Sequence, residues 1–117
     1  MGDLTYNFNR EEFACNCGCG LDTVDTETLR ILQEIRDHFA SPITINSGCR
    51  CFTYNRDIGG ARKSQHVKCR AADFSIEGVT QDEIYLYIGD TYPDVGGVGK
   101  YDDFIHLDTR SGRKARW

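Results

Sequence analysis

From residue 26 onward, apolar side chains recur at helical spacing. Leu29, Leu32, Ile35 and Phe39 form a stripe flanked by Ile31, and Glu27, Arg30, Glu34 and Asp37 take the other face. This pattern predicts an amphipathic helix over 26–39, with Asp25 as its N-cap and Pro42 as its stop. The period then shortens to two at Ile43-Thr44-Ile45-Asn46, which reads as a short strand. Residues 47–63 carry three glycines and no sustained period. They predict a long surface loop, of a kind that often carries function. Residues 71–76 read as a buried strand containing Asp73. Thr80-Gln81-Asp82-Glu83 is a capping box that opens a second helix, running to Tyr92 and ended by Pro93 and Gly96-Gly97. Residues 98–101 and 104–109 read as two strands joined by a turn at Asp102-Asp103. Before residue 20 the chain looks irregular, with Phe8 and Phe13 as anchors. An early helix and one further helix among mainly sequential strands predict an α+β fold with a small antiparallel sheet.

At 117 residues the chain can bury one core, so 1–117 is expected to be a single domain. Fourteen basic against eighteen acidic residues give a net charge of −4, which argues against a nucleic-acid partner. The basic cluster Arg110, Arg113, Lys114 and Arg116 reads as a solvated tail. No apolar run is long enough to span a bilayer, so no membrane insertion is expected. The first residues lack the basic and apolar regions of a signal peptide, and synthesis in the cytoplasm is expected. The protein is expected to be a monomer. Six cysteines (Cys15, Cys17, Cys19, Cys49, Cys51 and Cys69) are many for this length. Plain buried thiols are the expected state. A second, structural metal on these cysteines is the minor alternative, because one-residue spacing is tighter than that of the usual zinc knuckles. A disulfide-stapled or redox domain is a third reading.

The residues that bear chemistry are His66, Asp73 and His106. Two imidazoles and a carboxylate make a three-ligand zinc set with one coordination position left open, the mark of a catalytic rather than a structural ion. Asp73 inside an apolar strand needs a partner, and the strand carrying His106 could lie beside it. Zinc lowers the pKa of a bound water to about 7 and polarises a carbonyl. Asp103, three residues before His106, would serve as general base. Strict alternation puts Asp103 and His106 on opposite faces of a strand, so the turn at 102–103 must swing the acid back. Arg50 is the candidate partner for an anionic intermediate.

These residues resemble a known family. Ser64-x-His66-x-x-Cys69-x-Ala71-x-Asp73 is similar to the SxHxxGxAxD motif of the zinc D-Ala-D-Ala peptidases, in the hedgehog/DD-peptidase superfamily. Asp103-Phe104-Ile105-His106 resembles the second motif of that family. Ser47-Gly48-Cys49-Arg50-Cys51, Gly96-Gly97-Val98-Gly99 and Ala115-Arg116-Trp117 resemble its small phage and prophage branch. The resemblance implies zinc ligands at His66, Asp73 and His106, a base at Asp103, transition-state stabilisation by Arg50 and substrate contact by Ser64. It implies a peptidase acting on peptidoglycan stem peptides, either as a D-Ala-D-Ala carboxypeptidase or as an L-Ala-D-Glu endopeptidase. Such a product would reach the cell wall by phage-type release. The rival reading is a non-catalytic zinc-binding module of the same fold. Cys69 departs from the motif's glycine. A positive φ there would cost a side chain on the order of 1 kcal/mol.

Overall fold

The computed structural model describes residues 2–117. After a 3-10 turn at Arg10–Phe13, the elements are α1 (Thr26–Phe39), β1 (Ile43–Ser47), α2 (Phe52–Asp57), β2 (Ala71–Ile76), α3 (Gln81–Thr91), β3 (Gly97–Lys100), β4 (Ile105–Asp108) and β5 (Ala115–Arg116). The strands form one sheet in the order β1-β2-β4-β3-β5. Neighbours from β1 to β3 pair antiparallel, and the two-residue β5 pairs parallel with β3. The class is therefore α+β, as the pattern predicts, and the closing strand makes the sheet mixed.

Alternation along β2 and β4 divides the molecule. Ala72, Phe74 and Ile76 of β2 and Ile105 and Leu107 of β4 join Ile31, Leu32 and Ile35 of α1 and Ile84 and Ile88 of α3 in the core. Phe8 and Phe13 anchor the N-terminal segment to the same cluster. The residues between them, Asp73, His106 and Asp108, are buried on the opposite face. One face of the sheet therefore supplies cohesion, and the other is left for polar chemistry.

Local signals account for the helix ends. The Asp25 carboxylate accepts from the Thr28 N–H (3.1 Å) as N-cap of α1, and the Thr80 hydroxyl accepts from the Glu83 N–H (3.2 Å) as N-cap of α3. α1 ends where Ala40 turns left-handed (φ 50°), two residues ahead of Pro42. Asp25 also accepts from the Thr109 hydroxyl (2.8 Å), which ties the start of α1 to the end of β4. Burial opposes its charge, but the hydrogen bonds from Thr109 and Thr28 and the nearby Arg70 hold its pKa below the usual value.

Three expectations are corrected. The 47–63 stretch is not all loop: it contains α2, capped at Cys51, whose sulfur accepts from the Tyr54 N–H (3.3 Å). The cysteines are not six plain thiols: Cys49 and Cys69 form a disulfide, and the other four are free. The basic C-terminal cluster is not simply a solvated tail. Arg110 binds Asp108 (Nη2–Oδ2 2.7 Å), and Arg116 donates to the carbonyls of Val95 and Gly96 as β5 joins the sheet. Cys69 does take a positive φ, of 56°. Its sulfur is bonded to Cys49, so the bridge spans a residue held in a conformation its side chain disfavours.

Two stability predictions follow from these contacts. Asp25→Ala should cost about 0.5–2 kcal/mol at neutral pH, measured by chemical denaturation. Because the folded pKa is depressed, this contribution is fully present above the unfolded value of about 4 and is lost as the pH falls through the folded one. The gap between wild type and variant should therefore narrow toward pH 3. The second prediction concerns Cys69→Gly, which removes both the bridge and the left-handed cost. A loop of this length closed by a disulfide is worth about 3 kcal/mol, so under oxidising conditions the variant should be the less stable by about 2 kcal/mol. With all thiols reduced the order should reverse, and a glycine variant that stays less stable would refute the strain.

Candidate metal centre

The centre is built by register. Asp73 of β2 and His106 of β4 are direct partners across the two strands, so their side chains leave the same face side by side. His66 arrives from the turns that precede β2. The 61–69 segment is held by short-range hydrogen bonds (Ser64 N–H to Ala61 O, Cys69 N–H to His66 O), and the Ser64 hydroxyl accepts from the His66 N–H. One ligand atom from each of His66, Asp73 and His106 lies within 4.8 Å of the others, and all three residues are buried.

Each imidazole has one nitrogen already committed. His66 Nδ1 is 2.7 Å from the Gly48 carbonyl oxygen, which can only accept. The ring must donate there, so in the neutral imidazole Nε2 is left as a lone pair 3.1 Å from Asp73 Oδ1 with no hydrogen bond of its own. His106 Nε2 is 2.7 Å from Asp108 Oδ2, and its Nδ1 is 2.9 Å from Asp73 Oδ1. Asp108 is fully buried and receives three hydrogen bonds from Arg110, one from its backbone and two from its side chain. Burial disfavours the Asp108 charge, but Arg110 and His106 override it and keep the carboxyl far below its usual range. Asp108 is thus an anion that takes the Nε2–H of His106 and turns the Nδ1 lone pair toward Asp73.

Two lone pairs and a carboxylate facing one another in a buried space repel unless a cation lies between them. This donor set fits zinc, and the carbonyl and carboxylate behind the rings are the outer partners that zinc-binding histidines ordinarily have. Burial would raise the Asp73 pKa, but the adjoining His106 and His66 rings bring it down to about 2, so the carboxylate is charged at neutral pH. Burial likewise opposes protonation of His106, yet Asp108 and Asp73 raise its pKa. A proton therefore competes with a metal for the same lone pair as the pH falls.

The trio lies in a cavity of about 370 Å³ lined by Arg50, Lys63, Ser64, Tyr101, Phe104, Arg110 and Trp117 among others. Arg50 approaches Asp73 (Nη2–Oδ2 3.5 Å) and is held by the Asn55 side chain and the Ser47 hydroxyl, each at 3.2 Å. Trp117 packs against His106, with ring centroids 5.2 Å apart, and donates from its ring N–H to the Tyr101 hydroxyl (2.7 Å). The tryptophan fits because residue 99 is glycine: a Cβ there would stand 2.4 Å from the indole ring. At Gly97 a Cβ would strike the Asp108 carboxylate at 2.3 Å. A second cavity, of about 390 Å³, opens beside α1, but its polar side chains Glu27 and Arg30 pair with each other along the helix.

Of the residues singled out from sequence, the fold brings His66, Asp73, His106, Arg50 and Ser64 to one cavity. Asp103 is not brought in: it is exposed on the turn before β4 and lies outside the cavity lining. On that turn the Tyr101 and Phe104 rings stack 4.4 Å apart and occupy the cavity side. Sequence reasoning gave no role to Asp108, Trp117 or Gly48. Asp108 could have been found: it stands two residues after His106 on the same strand and so on the same face. The Gly48 carbonyl left no side-chain signal to read.

A family profile described as Peptidase M15 matches residues 6–108, a span that holds the three candidate ligands, Arg50 and Asp108. The chain belongs to the Peptidase M15 family. It is also similar to proteins named peptidoglycan L,D-endopeptidase MepK from Escherichia coli K12, Escherichia coli O157:H7 and Shigella flexneri. Each is 35% identical over 79 residues, covering 62% of this chain and 42% of the relative. The chain thus spans less than half the length of the curated relatives it matches. Among the described residues, no helix is long and apolar enough to cross a membrane.

For this M15 chain, Asp108→Asn should preserve the shape of the site while weakening the anion behind His106. Zinc affinity, measured by competition with a chromogenic chelator, should fall about 10–100-fold. Unchanged affinity would mean that Asp108 has no part in presenting His106.

Proposed function

We propose that this chain is a zinc-dependent peptidase that hydrolyses an amide bond next to a D-amino acid in peptidoglycan stem peptides. The bond would be D-Ala-D-Ala, cleaved as a carboxypeptidase, or L-Ala-D-Glu, cleaved as an endopeptidase. The observation that carries the reading is the convergence of the His66 Nε2 and His106 Nδ1 lone pairs on Asp73 in an open cavity. Membership of a peptidase family supports hydrolysis, and the likeness to proteins named peptidoglycan L,D-endopeptidase supports the substrate class. The reading places the site of action at the bacterial cell wall.

A zinc ion held by His66, Asp73 and His106 would supply Lewis acidity and an activated water. The chain's own residues do the rest. Arg50, fixed by Asn55 and Ser47, presents a permanent positive charge beside Asp73 and stabilises the developing oxyanion. Arg50 and Lys63 on the cavity wall suit a substrate that carries carboxylates. Tyr101, Phe104 and Trp117 form an apolar wall for the peptide, and Ser64 contacts it beside His66. Asp103 acts as the base from the turn between Tyr101 and Phe104. Catalytic hydrogen bonds often tighten only once the substrate is bound, and here the turn would deliver the acid.

One observation favours the rival, a zinc-binding module without catalysis. Among the described residues, Asp73 is the only carboxylate that lines the cavity. The two readings part on a defined muropeptide, with products identified by mass. The wild type should cleave it, and a chelator should abolish cleavage. Arg50→Ala should lose about 10²–10³-fold in turnover. Asp103→Ala should lose about 10²–10⁴-fold with its zinc content unchanged. Full activity in Asp103→Ala would remove that residue from the mechanism, and a zinc-loaded wild type that cleaves nothing would establish the rival.

A further inference from the structure

Apart from the histidines, four sulfurs gather around one point. Cys15, Cys17, Cys19 and Cys51 are all free, and their Sγ atoms lie within 4.8 Å of one another. Cys15 Sγ is 3.4 Å from Cys17 Sγ, and Cys17 Sγ is 3.7 Å from Cys51 Sγ. A tetrahedron with zinc–sulfur bonds of 2.3 Å has edges of about 3.8 Å. These separations are near that edge and well beyond the roughly 2.05 Å of a covalent S–S bond. The geometry points to a structural zinc ion bound by the thiolates of Cys15, Cys17, Cys19 and Cys51, separate from the His66–Asp73–His106 centre.

The backbone supports this arrangement. In an extended strand, three cysteines at one-residue spacing would be strung out over about 13 Å. Here the chain curls: the Gly18 N–H returns to the Cys15 carbonyl, the Cys15 N–H reaches the Leu21 carbonyl, and Gly18 and Gly20 take φ of 81° and 91°. The curl brings three cysteines of one-residue spacing around one point. The fourth comes from more than 30 residues further along the chain, where Cys51 caps α2. Backbone N–H groups already face two of the sulfurs: that of Cys51 donates to Cys15 Sγ (3.4 Å), and that of Tyr54 donates to Cys51 Sγ (3.3 Å). Such donors favour the thiolate over the thiol, as ligation requires. Four thiols lose their protons as the ion binds, and no electron transfer is involved.

The cluster is built for cohesion. All four positions are filled by protein, which leaves no place for substrate water. The ion would join the 15–19 loop to the segment that carries Arg50, beside the point where the Cys49 N–H meets the Phe13 carbonyl (2.9 Å). Zinc is preferred to an iron–sulfur cluster because the sulfurs enclose the space of one ion and not of a multi-iron core.

The test is metal content and cobalt substitution on the whole chain, purified under reducing conditions. The wild type should hold about two zinc ions, and Cys17→Ser/Cys19→Ser about one. The cobalt form of the wild type should display a thiolate-to-metal charge-transfer band, absent from that variant. His66→Ala/His106→Ala, which disables the other centre, should keep the band, so failure of the peptidase reading would leave this result intact. Should the double cysteine variant fail to fold, titration of the wild type with an organomercurial should release one zinc as four thiols react. A wild-type protein with reduced thiols and no thiolate–cobalt band would overturn the proposal. Stoichiometric iron with a sulfide chromophore would overturn the assignment to zinc.

Discussion

The confrontation of Asp73 with two imidazoles whose outer nitrogens are already engaged governs this molecule. A buried carboxylate is costly unless partnered, and a histidine is the ordinary neutralising partner because it can donate a proton. Here the Gly48 carbonyl and the Asp108 carboxylate have taken those protons. The inner faces of the rings are left as acceptors against an acceptor. The arrangement is electrostatically incomplete in a defined direction, toward a cation, and the strand register sustains it. Asp73 and His106 are cross-strand partners, so neither can turn away without a slip that would also move Phe74, Ile105 and Leu107 out of the core.

That coupling explains why the two faces of the sheet differ so sharply. The helix face is filled by aliphatic side chains from α1 and α3, which fix the register by hydrophobic burial. The other face spends the same register on polar geometry. Gly97 and Gly99 on β3 leave the volume that Asp108 and Trp117 occupy. A larger residue at either position would displace the anion behind His106 or the indole beside it. The small residues of β3 thus belong to the site as much as the histidines do, although none of their atoms can bind a metal.

Much of this was legible in the chain, and what was not has a common physical cause. Asp25 and Thr80 announced their helices because capping is local: donor and acceptor lie three residues apart. Asp73 announced a partner because a carboxylate in an apolar strand is rare. α2 escaped because six residues beginning at Phe52 show no period, and its cap is a sulfur in place of an oxygen. Arg110 reads as a tail residue because nothing local in the sequence marks its partner, Asp108, as buried. Asp103 is marked by its spacing from His106 and by the motif it resembles, and neither says which way a turn faces. Here the stacked Tyr101 and Phe104 take the inward side. The cysteines are hardest of all, since Cys49 is bonded to Cys69, 20 residues on, and Cys51 meets Cys15 across 36 residues.

Residues 48 to 51 show why such long-range links gather where they do. The Gly48 carbonyl fixes the tautomer of His66, Cys49 is bonded to Cys69, Arg50 reaches Asp73, and Cys51 caps α2 within the thiol cluster. Four consecutive residues thus contact four different parts of the chain, with no regular element of their own to hold them. The sheet cannot supply the rigidity, because β1 ends at Ser47 after an irregularity in its pairing with β2. A loop so placed would otherwise sample many conformations, and each would move Arg50 relative to Asp73. The covalent bridge on one side of Arg50 restricts that freedom, and an ion in the sulfur cluster on the other side would restrict it from both directions. This accounts for a cysteine at position 69, where the backbone favours glycine (φ 56°). The left-handed cost at one residue is small beside the ordering of the segment that positions Arg50 at the site.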